Sequence, residues 1–418
     1  MMDNKKFQGY VILLFCTVLF GLVPKNAKAQ DEQKTDTISF RSPVTHRMEV
    51  DFRPEYIIPF NSFLQGMNDE NKSLKSSLSA HLRYSFQYKK GSLLERVYGH
   101  DTYQGIGIAH YVFDDKKELG NPTAVYVFQG SQIAKLTHSL SLNYEWNFGL
   151  SFGWNPYDPE KNSNNTIIGS NTNAYIFAGI YLCQRISREF DLVAGYSFTH
   201  FSNGNTRLPN AGLNTTGLRL GIVYNISKPD SKPVRMELAP QFYRHWNYDL
   251  LLFGAWKRTG VDVGGDKYLS PDSYGVYGFN FTSLYNFSYR FKAGVSLDGL
   301  QDEAAGAYAK DYISPLGHEK PEGPPEFSKL PYRNRLALGL SGRIEYVMPF
   351  FTIDVGMGAN VLAGCSNLRT FYQILALKMN VTHNTFLHIG YCLKNFHNPN
   401  HLMLGFGIHL HNKRAILK

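Results

Sequence analysis

A histidine and a serine two residues apart, His200 and Ser202, are the residues of this chain whose types and spacing could do covalent chemistry. Imidazole can take the proton of a serine hydroxyl, and a serine so activated attacks an ester or amide carbonyl. Residues i and i+2 of a β-strand share a face, so on a strand the two side chains would point the same way. The surrounding pattern makes the pair informative. Over residues 190–202, Leu192, Ala194, Tyr196 and Phe198 form an apolar face, and His200 and Ser202 continue that face. Over residues 213–226, Leu218, Leu220, Ile222, Tyr224 and Ile226 form another, which Thr216 and Asn214 continue. Two neighbouring strands therefore change from apolar to polar on the same face at the same end. The plainer reading is that polar residues belong at any barrel rim, and that Pro209-Asn210 and Gly212-Leu213-Asn214 are hairpin chemistry.

Such a pair needs strands to carry it, and the composition supplies them. The 418 residues are 43% hydrophobic, 14% aromatic and only 18% charged, with 37 Gly, 27 Tyr and 29 Phe. A mean hydropathy of -0.29 excludes a polytopic helical membrane protein. The aromatic content excludes disorder. Lys5 and Lys6, an apolar stretch at 10–23, and Ala27-Lys28-Ala29 read as a secretory signal over residues 1–29, cleaved before Gln30. Its removal takes away four Lys and one Asp, so the net charge falls from +9 to about +6. No Lys/Arg block accompanies that excess, so it points to an anionic surface such as lipopolysaccharide and not to nucleic acid. Three cysteines remain, Cys183, Cys365 and Cys392, far apart and odd in number, which implies no disulfide framework.

Strict alternation is clearest at residues 138–154. Leu140, Leu142, Tyr144, Trp146, Phe148, Leu150, Phe152 and Trp154 share one parity, and Ser, Asn, Glu and Gly fill the other. The pattern recurs around 336–346, 351–357, 387–394 and 402–411. A soluble sandwich alternates too, but there the apolar side enters a shared core. The export signal, polar faces that mix Gly and Ser with charges, and the alternation of tight turns (186–189, 381–383) with long loops (156–171, 203–213, 299–332) favour a transmembrane barrel. The expectation is an all-β, antiparallel outer-membrane barrel of about 14 strands, an even number between 12 and 16. Residues 30–76 are a lead-in or contain a first strand, and residues 77–418 form the barrel.

The string His200-x-Ser202-Asn203, then Pro209-Asn210-x-Gly212-Leu213, then Gly217-Leu-x-Leu220, resembles the lipid A 3-O-deacylase family of outer-membrane barrels. The resemblance spans about residues 120–226 and is strongest at 196–221. It implies a serine esterase that removes the 3-O-linked acyl chain of lipid A, with His200 as general base and Ser202 as nucleophile. Asn203, Gly204 and Asn210 fall where the family forms its oxyanion hole and positions substrate. The family's third member is usually a Glu, and here that position is Asn214, which can still accept a hydrogen bond from the imidazole. The family's fold is a small barrel, so the resemblance implies that the C-terminal strands lie outside it. It calls for no cofactor; the implied partners are lipopolysaccharide and outer-membrane lipids.

Other constellations carry less. His397 with His401, in a turn containing Pro, and His409 with His411, on the lumen face of the last strand with no carboxylate nearby in sequence, have metal-ligand types, but no metal is expected. Glu145, Arg219, Arg343 and Glu345 have lumenal parity and fit a polar plug. A non-catalytic barrel (a pore or structural protein) and a degenerate member of the family are the alternatives to the esterase.

Overall fold

The computed structural model describes residues 44–89, 92–99, 101–226, 242–263, 266–270, 272–310, 326–396 and 398–410. The expected signal, the first part of the lead-in, His397 and His411 lie outside them. Alternation along the chain produces strands with one apolar and one polar face, and these close on themselves. The first set is β1 (Val44–Ile57), β2 (Ser76–Tyr88), β3 (Tyr103–Phe113), β4 (Gly120–Lys135), β5 (Leu140–Trp154), β6 (Thr172–Arg185), β7 (Phe190–Ser202) and β8 (Leu213–Asn225). Each pairs antiparallel with the next, and β8 returns to β1 with Arg47 opposite Asn225 and Tyr56 opposite Thr216.

The second set opens with β9 (His245–Lys257). A hairpin of β10 (Gly260–Val263) and β11 (Asp266–Leu269) precedes β12 (Tyr274–Asn286) and β13 (Phe291–Asp302). A small pair, β14 (Tyr308–Lys310) and β15 (Glu326–Ser328), leads to β16 (Leu336–Val347), β17 (Phe351–Ala363), β18 (Phe371–Asn380), β19 (Thr385–Lys394) and β20 (Asn398–Leu410). Strand β20 closes on β9, with Leu404 opposite Gly254.

The expectation of one barrel of about 14 strands is thereby corrected: the chain closes twice, into two barrels of eight strands each. Alternation reports which face of a strand is apolar, and sixteen such strands satisfy it equally in one ring or two. Closure depends on which distant strand pairs with the last, and a period-two pattern carries no record of that.

An eight-stranded barrel is just wide enough for side chains to fill it. In the first barrel Arg53, Arg83 and Arg219 lie buried against Asp51, Glu49 and Glu145. Arg83 reaches Glu145 at 2.5 Å and Glu49 at 3.0 Å, and its guanidinium lies 4.0 Å from the Phe128 ring centre. In the second barrel Arg343 bridges Asp298 and Asp354 at 3.0 Å each, while Lys378 sits between Asp249 and Glu345. The polar plug read from Glu145, Arg219, Arg343 and Glu345 is what the two lumens contain.

The outward faces are the reverse. Phe52, Leu82, Leu220 and Ile222 on the first barrel, and Leu252, Val295, Leu340 and Ile344 on the second, are about half exposed or more. Aromatic pairs gather at the short-turn end: Phe190 with Tyr224, Trp246 with Tyr285, and Phe291 with Tyr346, ring centres 5.0–5.3 Å apart. Apolar belts bordered by aromatic girdles are the outer surface of a membrane barrel.

The belt is interrupted where the barrels meet. Val127 and Gln129 point outward from β4 yet are buried, as are Phe351, Leu377 and Met379 from β17 and β18. Phe351 packs edge-on to Trp146 of β5, and Phe350 packs edge-on to Phe86 of β2.

Breaking a buried ion pair from one side leaves a charge without its partner, which costs about 3 kcal/mol or more. Arg83→Ala should therefore lower the stability of the folded chain by about that amount, read as a lower urea midpoint for loss of the compact band on unheated gels. An unchanged midpoint would show that Glu145 and Glu49 do not depend on Arg83.

Candidate active site

Strands β7 and β8 pair in a register that puts His200 directly opposite Asn214. Directly opposed residues of an antiparallel pair have Cβ atoms about 5 Å apart, close enough for a ring and an amide to bond. His200 Nδ1–H donates to Asn214 Oδ1 at 2.6 Å, and Ser202 Oγ–H donates to His200 Nε2 at 3.0 Å. The three half-buried side chains form one hydrogen-bonded row on the outward face, at the long-loop end of the first barrel. The carbonyl oxygen of Asn214 fixes the tautomer with Nε2 unprotonated, the nitrogen a serine proton would need.

Phe201, between base and serine, points the other way. It is fully buried in the lumen against Trp154 (4.9 Å), Tyr111 (5.1 Å) and Tyr175 (5.6 Å). This aromatic cluster anchors the backbone midway between His200 and Ser202. Strand parity assigns Phe201 inward, and that signal could have marked it as a support of the site. Below it, Ser197, Thr199 and Thr215 all donate to Glu55 inside the barrel, tying β7 and β8 to β1.

The loop after Ser202 is bonded to itself. Asn203 N–H donates to Asn210 Oδ1 at 2.9 Å, Asn203 Nδ2 to the Arg207 carbonyl at 2.7 Å, and Asn210 Nδ2 to Asn205 Oδ1 at 3.1 Å. The two asparagines expected at an oxyanion hole are thus engaged in shaping this loop. The Gly204 N–H takes part in no hydrogen bond among the described residues. Gly212 has φ +80°, and a Cβ there would lie 3.2 Å from the His200 ring, so a glycine is needed for the turn and for the ring's place beside it. Loop 155–171 braces the far half: Ile167 O accepts Gly212 N–H at 3.0 Å, and Gly169 leaves no room for a Cβ against Pro209 O.

The other sequence candidates fall elsewhere. His409 Nδ1–H donates to Asp249 in the second lumen, and His401 stacks there on Phe253. Among the described residues no group of three or more His, Cys, Asp or Glu is arranged to hold a metal. Glu145 is lumenal and ion-paired to Arg83 and Arg219.

Residues 76–223 match the family described as lipid A 3-O-deacylase, and residues 246–412 match the one described as acyloxyacyl hydrolase, C-terminal domain. Together these matches cover about three quarters of the 418 residues. The chain belongs to the lipid A 3-O-deacylase family. Membership implies a hydrolase and points to the bacterial outer membrane. The boundary between the two matches falls between the two barrels, so the C-terminal strands lie within a match of their own, contrary to the expectation that they fall outside the resemblance.

A comparison with curated proteins finds no match. Among solved structures, the chain is similar to the TodX monoaromatic hydrocarbon channel deltaS2 mutant (8% identity, 88% of each chain, TM-score 0.18). It is also similar to Omp33 of Acinetobacter baumannii (10% identity, 88% of this chain and 98% of that one, TM-score 0.16). The FrpB iron transporter of Neisseria meningitidis gives 11% identity over 88% of this chain and 61% of that one, with a TM-score of 0.19.

A titratable group outside the barrel wall is linked to loop 155–171. Glu118, on the short helix α3 (Lys116–Leu119), which follows α1 (Ser62–Gln65) and α2 (Leu93–Tyr98), is pushed up to about 7, mainly by burial. Its carboxylate accepts Asp69 N–H, and its carbonyl accepts Asn165 Nδ2. Asn165 Oδ1 in turn holds Ile167 and Ile168 N–H. A carboxyl whose folded-state pKa is raised favours the fold most when protonated, and that contribution is lost as pH rises from about 4.5 through about 7. Amides of residues 158–168 should therefore exchange faster at pH 8 than at pH 6 after correction for intrinsic rate, and Glu118→Gln should remove most of the difference.

Proposed function

We propose that this chain is an outer-membrane serine esterase that removes the 3-O-linked acyl chain of lipid A. The observation that carries the reading is the hydrogen-bonded row Ser202–His200–Asn214 on the outward face of β7 and β8. Long loops mark the outer end of such barrels, so the row would meet lipid from the side, at the level where apolar belt gives way to headgroups. Export by a cleaved signal at residues 1–29 belongs to the same reading.

In this mechanism Ser202 Oγ attacks the ester carbonyl carbon while His200 Nε2 takes the hydroxyl proton. The carbonyl oxygen gains negative charge, and the Gly204 N–H, two residues past the serine, is the amide we assign to meet it. Asn203 and Asn210 hold that loop in shape. The C–O bond to the sugar 3-oxygen breaks, and His200 returns its proton to that oxygen. Water then attacks the acyl-serine with His200 again as base, releasing the fatty acid and restoring Ser202. Asn214 orients the imidazole through both steps but brings no charge to the imidazolium.

A degenerate member is the second reading, and Asn214 in place of an acid is what favours it. A pore draws no support from lumens packed with buried Arg, Lys and Tyr side chains.

Outer membranes containing lipopolysaccharide, exposed to the protein, should yield lipid A lighter by one hydroxyacyl chain. Ser202→Ala and His200→Ala should each abolish the loss, and the double variant should be no worse, since base and nucleophile act as a unit. Unchanged lipid A with the folded parent would support the degenerate reading; fatty acid released from phospholipid alone would indicate a phospholipase. Asn214→Ala should slow deacylation on the order of 10- to 1,000-fold, less than loss of the serine, because misalignment costs rate without removing the base. Asn214→Glu should match or exceed the parent. A parent rate for Asn214→Ala would make Asn214 a turn residue only.

A further inference from the structure

The loop that follows Ser202 is held from two directions. Its far half, Leu208 to Gly212, rests on the first barrel's own loop, through Ile167 and Gly169. Its near half, Gly204 and Asn205, rests on the second barrel. Gly204 is buried with φ +64°, and a Cβ placed there would lie 2.7 Å from Leu402 Cδ2 and 3.1 Å from the Tyr391 ring. Leu402 and Tyr391 face each other across β20 and β19 on the outward face of the second barrel. One residue further along, Asn205 O accepts the Arg258 N–H at 3.1 Å, from the chain just past β9. Tyr391 and Leu402 are half-buried on the face that meets the first barrel, whereas Phe406, lower on the same face of β20, is open.

The geometry points to a positioning role for the second barrel: Leu402, Tyr391 and the Arg258 amide brace the Gly204–Asn205 segment and thereby hold Ser202 and the Gly204 N–H in place. The physical reason is leverage. Gly204 is two residues from the serine, and left-handed glycine backbone has many alternatives open to it. A loop of that kind keeps one conformation only where packing opposes the others. The first barrel secures Ser202 through Phe201 and secures Gly212 through Ile167. Gly204 and Asn205, nearest the serine, are met from the second barrel by Leu402, Tyr391 and Arg258. A displacement of about 1 Å in a reacting group can cost on the order of 100-fold in rate, so a brace at this point acts on turnover more than on binding.

The effect on rate rests on the esterase reading; the brace itself does not, and the test separates them. Leu402→Ala removes the side chain under Gly204 while leaving the serine, base and amide in the chain. Deacylation should fall about tenfold in kcat with KM within twofold, and amides 203–210 should exchange faster with solvent. Leu402→Met should keep both at parent values. Gly204→Ala should also be slow, and combining it with Leu402→Ala should recover part of the lost rate, because the added methyl then has space. Retention of the compact band on unheated gels establishes folding; Leu402→Val, which retracts the contact with less loss of volume, serves if the alanine variant does not fold.

Parent kcat and parent exchange in the folded Leu402 variants would overturn the brace. Faster exchange at 203–210 in a chain whose parent form deacylates nothing would uphold the brace and remove the esterase reading. A rise in KM with kcat unchanged would show that Leu402 contacts the acyl chain and does not position the loop, and would also overturn it.

Discussion

The pairing of β7 with β8 is the constraint on which the site depends. A one-residue slip would carry His200 to the lumen or set Asn214 against a different neighbour, because side chains alternate with a period of two. The register is held from inside, where Phe201 enters an aromatic cluster and Ser197, Thr199 and Thr215 converge on Glu55. It is held by closure as well, since β8 must also match β1 over nine opposed residue pairs from Arg47–Asn225 to Ile57–Thr215. The outward-facing Ser202–His200–Asn214 row thus draws its order from polar and aromatic packing in the lumen behind it.

Those lumens reverse the usual placement of charge. Three arginines of the first barrel and Arg343 and Lys378 of the second are buried, each against carboxylates. Burying a charge is tolerated where it is paired and hydrogen-bonded, and an eight-stranded ring has room for such pairs and little else. The outward faces, freed of polar groups, can be almost wholly apolar. Against that background a His, a Ser and an Asn in one outward row are conspicuous.

Local pattern made much of this legible. Alternation at residues 140–154, 190–202 and 213–226 located the strands and their faces, and the polar ends of two apolar faces located His200, Ser202 and Asn214. The number of barrels was not legible, because closure is a pairing of residues such as Met48 with Tyr224, far apart in sequence. The loop hydrogen bonds were hidden for a related reason. Asn203 and Asn210 have the right types for an oxyanion hole, but whether an amide faces a substrate or another asparagine depends on the fold of the loop. Leu402 and Tyr391 look like any lipid-facing pair of a strand, and only the second barrel's position sets them against Gly204.

Asn214 shows what an amide can and cannot replace. A carboxylate at the outward face would have to be desolvated at the edge of an apolar belt, where an uncompensated charge is expensive. An amide there avoids that cost and still supplies one well-placed oxygen to Nδ1–H. On the esterase reading it gives up the coulombic stabilisation of the imidazolium that would form as the serine proton moved. Orientation then carries more of the burden, since a base without a charged partner gains most from being held in the correct tautomer beside a serine that does not wander. The supports around the row fit that requirement: Phe201 fixes the backbone between His200 and Ser202, Gly212 lies against the imidazole, and the second barrel closes on the loop two residues beyond Ser202.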